Sequence, residues 1–326
     1  MDAKNRKFCG DRMMFARLLK NNLSFVILLL MFIAGAVFTD SFLTGTNLLN
    51  VLRQVSINGV LAAGFTIVVV TDQFDLSVGS IVGVSACFSV GILNATRSMP
   101  MGVLAGLAVG TLFGSLNGVL LRIIKGDYSD SYLITLGVSL VALGVAYTYT
   151  GGFNQYVDDA ASSYRMIGRG DIFGVPNMAV IMLALMIVLQ FVMKKTTYGR
   201  KVYLTGGNKM ASYMSGINTH WIKTSAFMLS GLCAGIAGVM MAARTGSAAP
   251  TTGSGYEFDA AIATIIGGNS AGRRSSSIVK TLIGVFILGL ISNIMNLMNF
   301  NTVIQRVTKG VILLIALYVD RYRDDI

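Results

Sequence analysis

Four carboxylates stand where carboxylates are hard to keep. Asp72 and Asp75 interrupt an otherwise apolar run from Val60 to Val84, and Glu257 and Asp259 open another after the glycine-rich stretch Gly253-Ser254-Gly255. An ionised carboxylate in hydrocarbon has to face a cavity, a partner or water, so these groups are candidates for a gate, a subunit contact or a ligand site. In the stretch from Thr71 to Ser80, Gly79 and Ser80 let the chain re-enter a helix tightly, and Asp75 or Ser77 can cap it. The plain account is a capped cytosolic turn between two membrane spans. Glu257, the only glutamate in the chain, sits where a capped re-entrant helix could begin. Docking of an external partner competes there with simple stabilisation of a helix N-terminus, which is favoured. Asp75, Ser77, Glu257 and Asp259 are thus the candidate gate or partner contacts.

Other chemistry is poorly represented. Gly267-Gly268-Asn269-Ser270-Ala271-Gly272-Arg273-Arg274 has glycines followed by arginine, but no Gly-Lys-Ser/Thr ending, so a tight turn is preferred to a nucleotide site. The single His220 cannot make a metal site alone, and with the neighbouring single Trp221 it reads as an interface residue. Cys9, Cys87 and Cys233 are too scattered for a disulfide framework and have no partners at metal-ligand spacing. The chain has no nucleophile–base pair and no paired catalytic acids, so it is read as non-catalytic, with no cofactor bound by the chain itself. Asn58, Asn117, Asn293 and Asn296 are candidate pathway residues within apolar spans, as is Gln190, against the commoner role of such residues as packing glue.

The elements that must position these groups follow from composition. Of 326 residues, 54% are hydrophobic and 13% charged, and the mean hydropathy is +0.67. No water-soluble fold hides that much apolar surface, so the chain is expected to be an all-α polytopic membrane protein forming one transmembrane domain over residues 1–326. Spans are placed at 22–39, 51–71, 76–94, 101–122, 131–149, 175–193, 224–243, 258–268, 277–295 and 303–319, ten in all. The eighth is short and is expected to begin earlier or to be a broken helix. With the amino terminus inside, 19 Lys and Arg fall on cytosolic segments and 7 outside, which predicts both termini in the cytosol. The net charge of +11 is therefore a topology signal and not a nucleic-acid footprint. The first span lacks a small-residue cleavage site and is expected to stay as an anchor.

Residues 194–223 carry six basic side chains and no acid between two apolar runs. A cytosolic loop of that kind is expected to touch a soluble partner, because nothing in the chain supplies energy. Gly102, Gly106, Gly110, Gly114 and Gly118 recur every fourth residue in the fourth span, and Gly231, Gly235 and Gly238 repeat the idea in the seventh. Such faces let helices approach closely, for packing within the subunit or as a sliding surface. Thr111-Leu112-Phe113-Gly114 and Thr281-Leu282-Ile283-Gly284 match at an offset of 170 residues, which with ten spans suggests an inverted five-plus-five repeat.

Five stretches in order resemble the permease subunits of bacterial binding-protein-dependent ABC importers of the ribose, galactose and xylose type. They are Phe74-Asp75-Leu76-Ser77-Val78-Gly79-Ser80; Ile134-Thr135-Leu136-Gly137 leading to Tyr149-Thr150-Gly151-Gly152; Thr197-Tyr198-Gly199-Arg200-Lys201-Val202-Tyr203 with Thr205-Gly206-Gly207-Asn208 and Ser215-Gly216-Ile217-Asn218; Leu229-Ser230-Gly231-Leu232 with Ala234-Gly235-Ile236-Ala237-Gly238; and Gly255-Tyr256-Glu257-Phe258-Asp259-Ala260 through Gly267-Gly268. The resemblance runs over nearly the whole chain. It implies a BtuC-like, type II ABC importer permease in the bacterial inner membrane. Such a permease pairs with a second copy or a paralogue, receives a sugar or related polyol from a periplasmic binding protein, and is driven by cytosolic ATPase subunits that use ATP and Mg. It also implies that the loop holds the ATPase-coupling helix, at Gly206, Gly207, Asn208, Lys209, Met210, Ser212, Gly216 and Ile217, with nearby lysines touching lipid headgroups or the ATPase.

This chain departs from the family pattern at Gln73-Phe74 before Asp75, at Asp127-Tyr128-Ser129-Asp130 where a proline is usual, and at Asn269 to Arg274 and Lys280. The departures add charge and bulk at cytosolic turns and suggest a divergent member. The alternative function is an ion-coupled secondary transporter of a small polar solute, which would need a deep carboxylate; Asp75 and Asp259 are the candidates, and both are expected near span ends. A purely structural membrane subunit would not need the glycine-lined helices. If Gly207 occupies a turn with positive φ, a bulky replacement there is expected to misplace the coupling helix at a cost of about 1 kcal/mol.

Overall fold

The structure, a computed structural model, describes residues 23–158, 162–273 and 275–322. Cys9, the basic residues of 1–20, Arg274 and Arg323 lie outside the described residues. Each segment read as a span holds a helix. These helices are α1 (Leu23–Phe38), α2 (Gly45–Val70), α3 (Val78–Thr96), α4 (Met99–Ile123), α5 (Tyr128–Thr150), α7 (Asn177–Lys195), α10 (Thr219–Thr245), α11 (Tyr256–Ile266), α12 (Ile278–Leu297) and α13 (Thr302–Tyr322). Shorter helices α6 (Ser162–Arg169), α8 (Thr197–Gly207) and α9 (Lys209–Met214) lie in the connections. Strand β1 (Gln155–Tyr156) pairs antiparallel with β4 (Ser247–Ala248), and β2 (Asp171–Ile172) with β3 (Val175–Pro176). Seven of these helices, α2, α3, α4, α5, α7, α10 and α12, are long and apolar enough to cross a membrane. The chain is an all-α polytopic membrane protein.

Local signals set the ends. The Thr44, Asn218 and Ser277 side chains accept hydrogen bonds from backbone N–H groups in the first turns of α2, α10 and α12, relieving donors that have no partner within a helix. Gly246 closes α10 at a φ of +74°, a conformation that a side chain disfavours.

α2 and α10, of 26 and 27 residues, are the buried centre. Glycine sets the spacing around them. A methyl group built on Gly110 of α4 would lie 2.5 Å from the Gly231 carbonyl oxygen and 2.6 Å from the Gly235 Cα of α10. One built on Gly64 of α2 would lie 2.7 Å from the Cys233 Cβ of α10. The periodic glycines therefore serve backbone-to-backbone packing within one subunit, the first of the two expected roles.

The connections sort to two ends. At one, Lys209 pairs with Asp127, Lys194 and Tyr203 donate to the Ser276 carbonyl at 2.7 and 2.6 Å, and the Gly272 N–H donates to the Val70 carbonyl at 3.1 Å. At the other, β1 pairs with β4, Asn94 donates to the Tyr156 carbonyl, and Arg169 donates to the Arg244 and Thr245 carbonyls. We call these the basic end and the strand end.

Candidate functional site

Two stretches of non-helical backbone run into the interior, and the second packs on the first turns of α3, immediately after the first. The first, Thr71–Ser77, separates α2 from α3. The second, Gly246–Gly255, separates α10 from the short helix α11. A methyl group on Gly79, in the first turn of α3, would lie 2.0 Å from Glu257 Oε2 and 2.6 Å from the Gly253 carbonyl oxygen. One on Gly253 would lie 2.0 Å from the Gly79 carbonyl oxygen, and one on Gly83 would lie 2.4 Å from the Pro250 carbonyl oxygen. Only glycine allows this approach, which explains Gly79 and Gly253 better than flexibility does.

Asp75 is deeper than the sequence reading placed it. It is 0% exposed, and its carboxylate accepts hydrogen bonds from Ser77 N at 3.0 Å, Ser77 Oγ at 2.6 Å and Ser230 Oγ at 3.0 Å. Asn117 Nδ2 donates to Ser77 Oγ at 2.7 Å. Ser230 is 11 residues into α10, so Asp75 sits roughly 16 Å along that helix from its start. The turn between α2 and α3 is thus buried at Asp75, which joins the start of α3 to α10. Backbone donors freed by the break also find partners: Ser131 Oγ and Thr135 Oγ1 of α5 each accept at 3.1 Å, from Phe74 N and Leu76 N respectively. Unpaired backbone donors at this depth would be costly, which is why α5 presents hydroxyls on that face.

Past its strand pairing with β1, the second break is satisfied locally. Thr252 Oγ1 accepts from Ala249 N at 2.8 Å, Glu257 Oε1 from Gly255 N at 3.3 Å, and the Gly253 carbonyl from Tyr256 N at 3.2 Å. The helix that follows is only 11 residues long, so the eighth segment is a short helix entered from a non-helical stretch, as its length suggested. Asp259 accepts from Lys309 Nζ of α13 at 2.8 Å.

The candidate polar residues scatter. Asn117 belongs to the Asp75 network. Asn58 is buried with its Oδ1 unpartnered, whereas Asn293 exchanges hydrogen bonds with Asn47 at 2.7 and 3.1 Å. Asn296 accepts from Gln305, and Gln190 accepts from Ile278 N. Asn293 and Gln190 therefore act as ties between helices.

At the basic end, α8 and α9 meet at Asn208, whose side chain accepts from Ala211 N at 2.8 Å and starts α9. Gly207, Asn208 and Ser212 border a cleft of about 400 Å³ with Arg200, Tyr203, Leu204, Ala211, Ser215 and Gly272; Gly206 is not among its lining residues. Ser212 is buried, Ile217 is half-buried, and Gly207, Asn208, Lys209, Met210 and Gly216 are exposed. Gly207 does not have positive φ, which corrects the reason given for its sensitivity. A methyl group there would meet the Gly272 carbonyl at 3.3 Å, whereas one on Gly206 would lie 1.9 Å from the Val70 carbonyl. Gly206 is the tighter position, and it leans on the start of the first break. Gly216 carries the positive φ, +72°. Sequence reasoning missed Tyr213 and Met214, which are 71% and 78% exposed beside Met210 at 70%. Their spacing from Met210, three and four residues, puts all three on one face of α9 and was available as a signal. Lys209 holds the Asp127 carboxyl below the usual aspartate range through their direct contact.

The sequence matches, over residues 47–317, the family described as branched-chain amino acid transport system / permease component. It is 36% identical over 299 residues to the ribose import permease protein of Escherichia coli (strain K12), covering 91% of this chain and 92% of that one. The corresponding ribose permease of Bacillus subtilis (strain 168) is 35% identical over 297 residues, covering 91% of each chain. The L-arabinose ABC transporter permease protein of Azospirillum brasilense is 30% identical over 298 residues, covering 91% of this chain and 86% of that one.

Proposed function

The chain belongs to the family of branched-chain amino acid transport system / permease components, and from that premise we propose that it is the membrane permease subunit of an ATP-driven sugar importer. As a permease component it is not an enzyme. The observation that carries the sugar assignment is identity of 30–36% along about nine-tenths of the chain to ribose and arabinose permeases. Those relatives are matched over 86–92% of their own length, and they outweigh the amino-acid wording of the broader family.

The geometry supports a mechanism. Two broken helices meeting in the interior are a common transporter device, because exposed helix ends and irregular backbone can line a passage there. In our reading, the contact of Gly79 with Gly253 and Glu257 is the closed gate. Ten crossings, an inverted five-plus-five repeat and a type II architecture are supported by the packing. α2 lies on α10, α4 on both α3 and α10, and α12 on both α11 and α2, so the halves use like-placed neighbours. The basic end would face the cytosol, with both termini there. Separate ATPase subunits would receive α9 through Met210, Tyr213 and Met214, and a periplasmic binding protein would deliver sugar at the strand end. A second permease, identical or paralogous, would complete the passage.

An ion-coupled carrier gains no support. Asp75 is deep, as that reading required, yet its carboxylate is already occupied by three donors from Ser77 and Ser230. The test is uptake of labelled ribose and arabinose into proteoliposomes holding the permease with its ATPase and binding protein. Uptake that needs ATP and both partners supports the assignment. Uptake driven by an ion gradient alone would overturn it.

A further inference from the structure

The first turn of α11 carries carboxylates on opposite faces. Residues two apart on a helix point about 200° apart, so Glu257 and Asp259 look away from each other. Glu257 lies against Gly79 at the start of α3, where unpaired helix N–H groups favour negative charge. Asp259, largely buried, meets Lys309, which lies seven residues into α13 and so roughly 10 Å along it. α13 packs on α11 more than on any other helix. An ion pair at that depth is a weak way to gain stability, because desolvation offsets most of the attraction. It is a strong way to fix an angle. A short helix held by an opposed carboxylate on each side cannot rotate without losing one contact.

We propose that Lys309 is a positioning residue for the gate: through Asp259 it fixes the rotation of α11 and so holds Glu257 and Gly253 against Gly79. The inference rests on the reading of the two breaks as the gate. α13 then is not a peripheral anchor, and a shift of α13 relative to the bundle opens or closes the meeting of the breaks.

The experiment measures two rates per inserted molecule in proteoliposomes of the assembled transporter: ATP-driven uptake of ribose and ATP-independent leak of trapped ribose. Lys309→Met is expected to raise leak and lower driven uptake, each on the order of ten-fold, and Lys309→Arg, which keeps the cation, to stay within about three-fold of the parent. Because Lys309→Met leaves Asp259 unpaired and can impair folding, the deciding variant is the double change Lys309→Met with Asp259→Leu. An apolar pair restores packing without a directed ionic contact, so it should insert normally and still leak. A double variant inserted at parental amounts, equally tight and equally active, would overturn the proposal. Gly253→Val serves as the control for the gate itself. If it neither leaks nor loses uptake, the gate reading fails; if it leaks while Lys309→Met, alone and with Asp259→Leu, stays tight, only the role of Lys309 fails.

Discussion

The two breaks solve one physical problem in opposite ways. Residues 71–77 rely on their neighbours: Ser131 and Thr135 of α5, Asn117 of α4 and Ser230 of α10 supply the hydrogen bonds that the interrupted backbone and Asp75 need. Residues 249–255 rely on themselves, through Thr252, Glu257 and local turns, whereas Gly246 to Ala248 are tied to residues 155–157 by β1 and the Val157 N–H. A segment stitched to three helices cannot shift without leaving buried polar groups unpaired. A self-satisfied segment can move as a unit. On the gate reading, the first break is then the fixed side and residues 249–255 of the second the moving side.

The comparison is broken most forcefully at Asp75. Asp75→Leu removes an acceptor shared by three donors in a fully buried site, and we expect a loss of about 3–5 kcal/mol, enough to lower the amount of folded permease severely. Asp75→Asn keeps one acceptor oxygen and should lose less. Thermal melting in detergent ranks the two, and equal melting of Asp75→Leu and the parent would mean that the first break is not the fixed side.

Wedging the glycines separates the two sides by phenotype. Gly206→Val forces a side chain onto the Val70 carbonyl, and Gly253→Val forces one onto the Gly79 carbonyl. Each should cost about 1–3 kcal/mol as an overpacked contact. Gly206→Val acts where the basic-end loop leans on the fixed break, so it should reduce transport-stimulated ATP hydrolysis without leak. Gly253→Val acts at the moving break and should leak. The same phenotype from both would erase the distinction. Gly207, with 3.3 Å to its nearest neighbour, should be milder than Gly206.

Much of this was legible in the sequence, for stated reasons. Helix positions followed from apolar runs, and the glycines of α4 and α10 announced the face on which those helices touch. Depth was harder. Asp75 looked like a turn residue because its distant donor, Ser230, lies 155 residues away, and no local pattern reports it. Asp259 looked terminal because α11 is short, while its partner Lys309 was assigned to a distant span. The Gly207 turn was misjudged because crowding, unlike positive φ, depends on what arrives from elsewhere, here Gly272. Thr281 of the internal match illustrates the same limit, since it meets Thr66 of α2 at 2.6 Å while Thr111 bonds within its own helix.

Single hydroxyls sharpen the contrast at smaller scale. Thr135→Val leaves the buried Leu76 N–H without a partner and should cost about 1–2 kcal/mol. Thr252→Val removes the bond to Ala249 N in a partly exposed segment, where water can substitute, and should cost only a few tenths. Hydrogen exchange of the two amides gives the same ranking independently. Comparable losses at both positions would argue that the second break is as firmly held as the first.

The smallest effect is expected at the Lys209–Asp127 pair, which ties α9 to the start of α5 at the basic end. Both side chains are largely exposed, so Lys209→Glu should change stability little, as exposed ion pairs generally do. Its consequence is for position. α5 supplies Ser131 and Thr135 to the fixed break, so a tilt of α9 felt at Asp127 reaches the partners of Phe74 and Leu76 within one or two helical turns. The Asp127 carboxyl lies below its ordinary range, so the contact is fully formed above the unfolded pKa of aspartate and is lost only as pH falls through the lowered folded value. High salt should weaken it at neutral pH. We expect Lys209→Glu to reduce transport-stimulated ATP hydrolysis while leaving membrane insertion intact, and Asp127→Lys on that background to recover part of it. If neither hydrolysis nor co-purification of the ATPase changes in Lys209→Glu, the loop passes no signal to α5 through this pair, and the fixed break must be reached through Gly206 and Val70 alone.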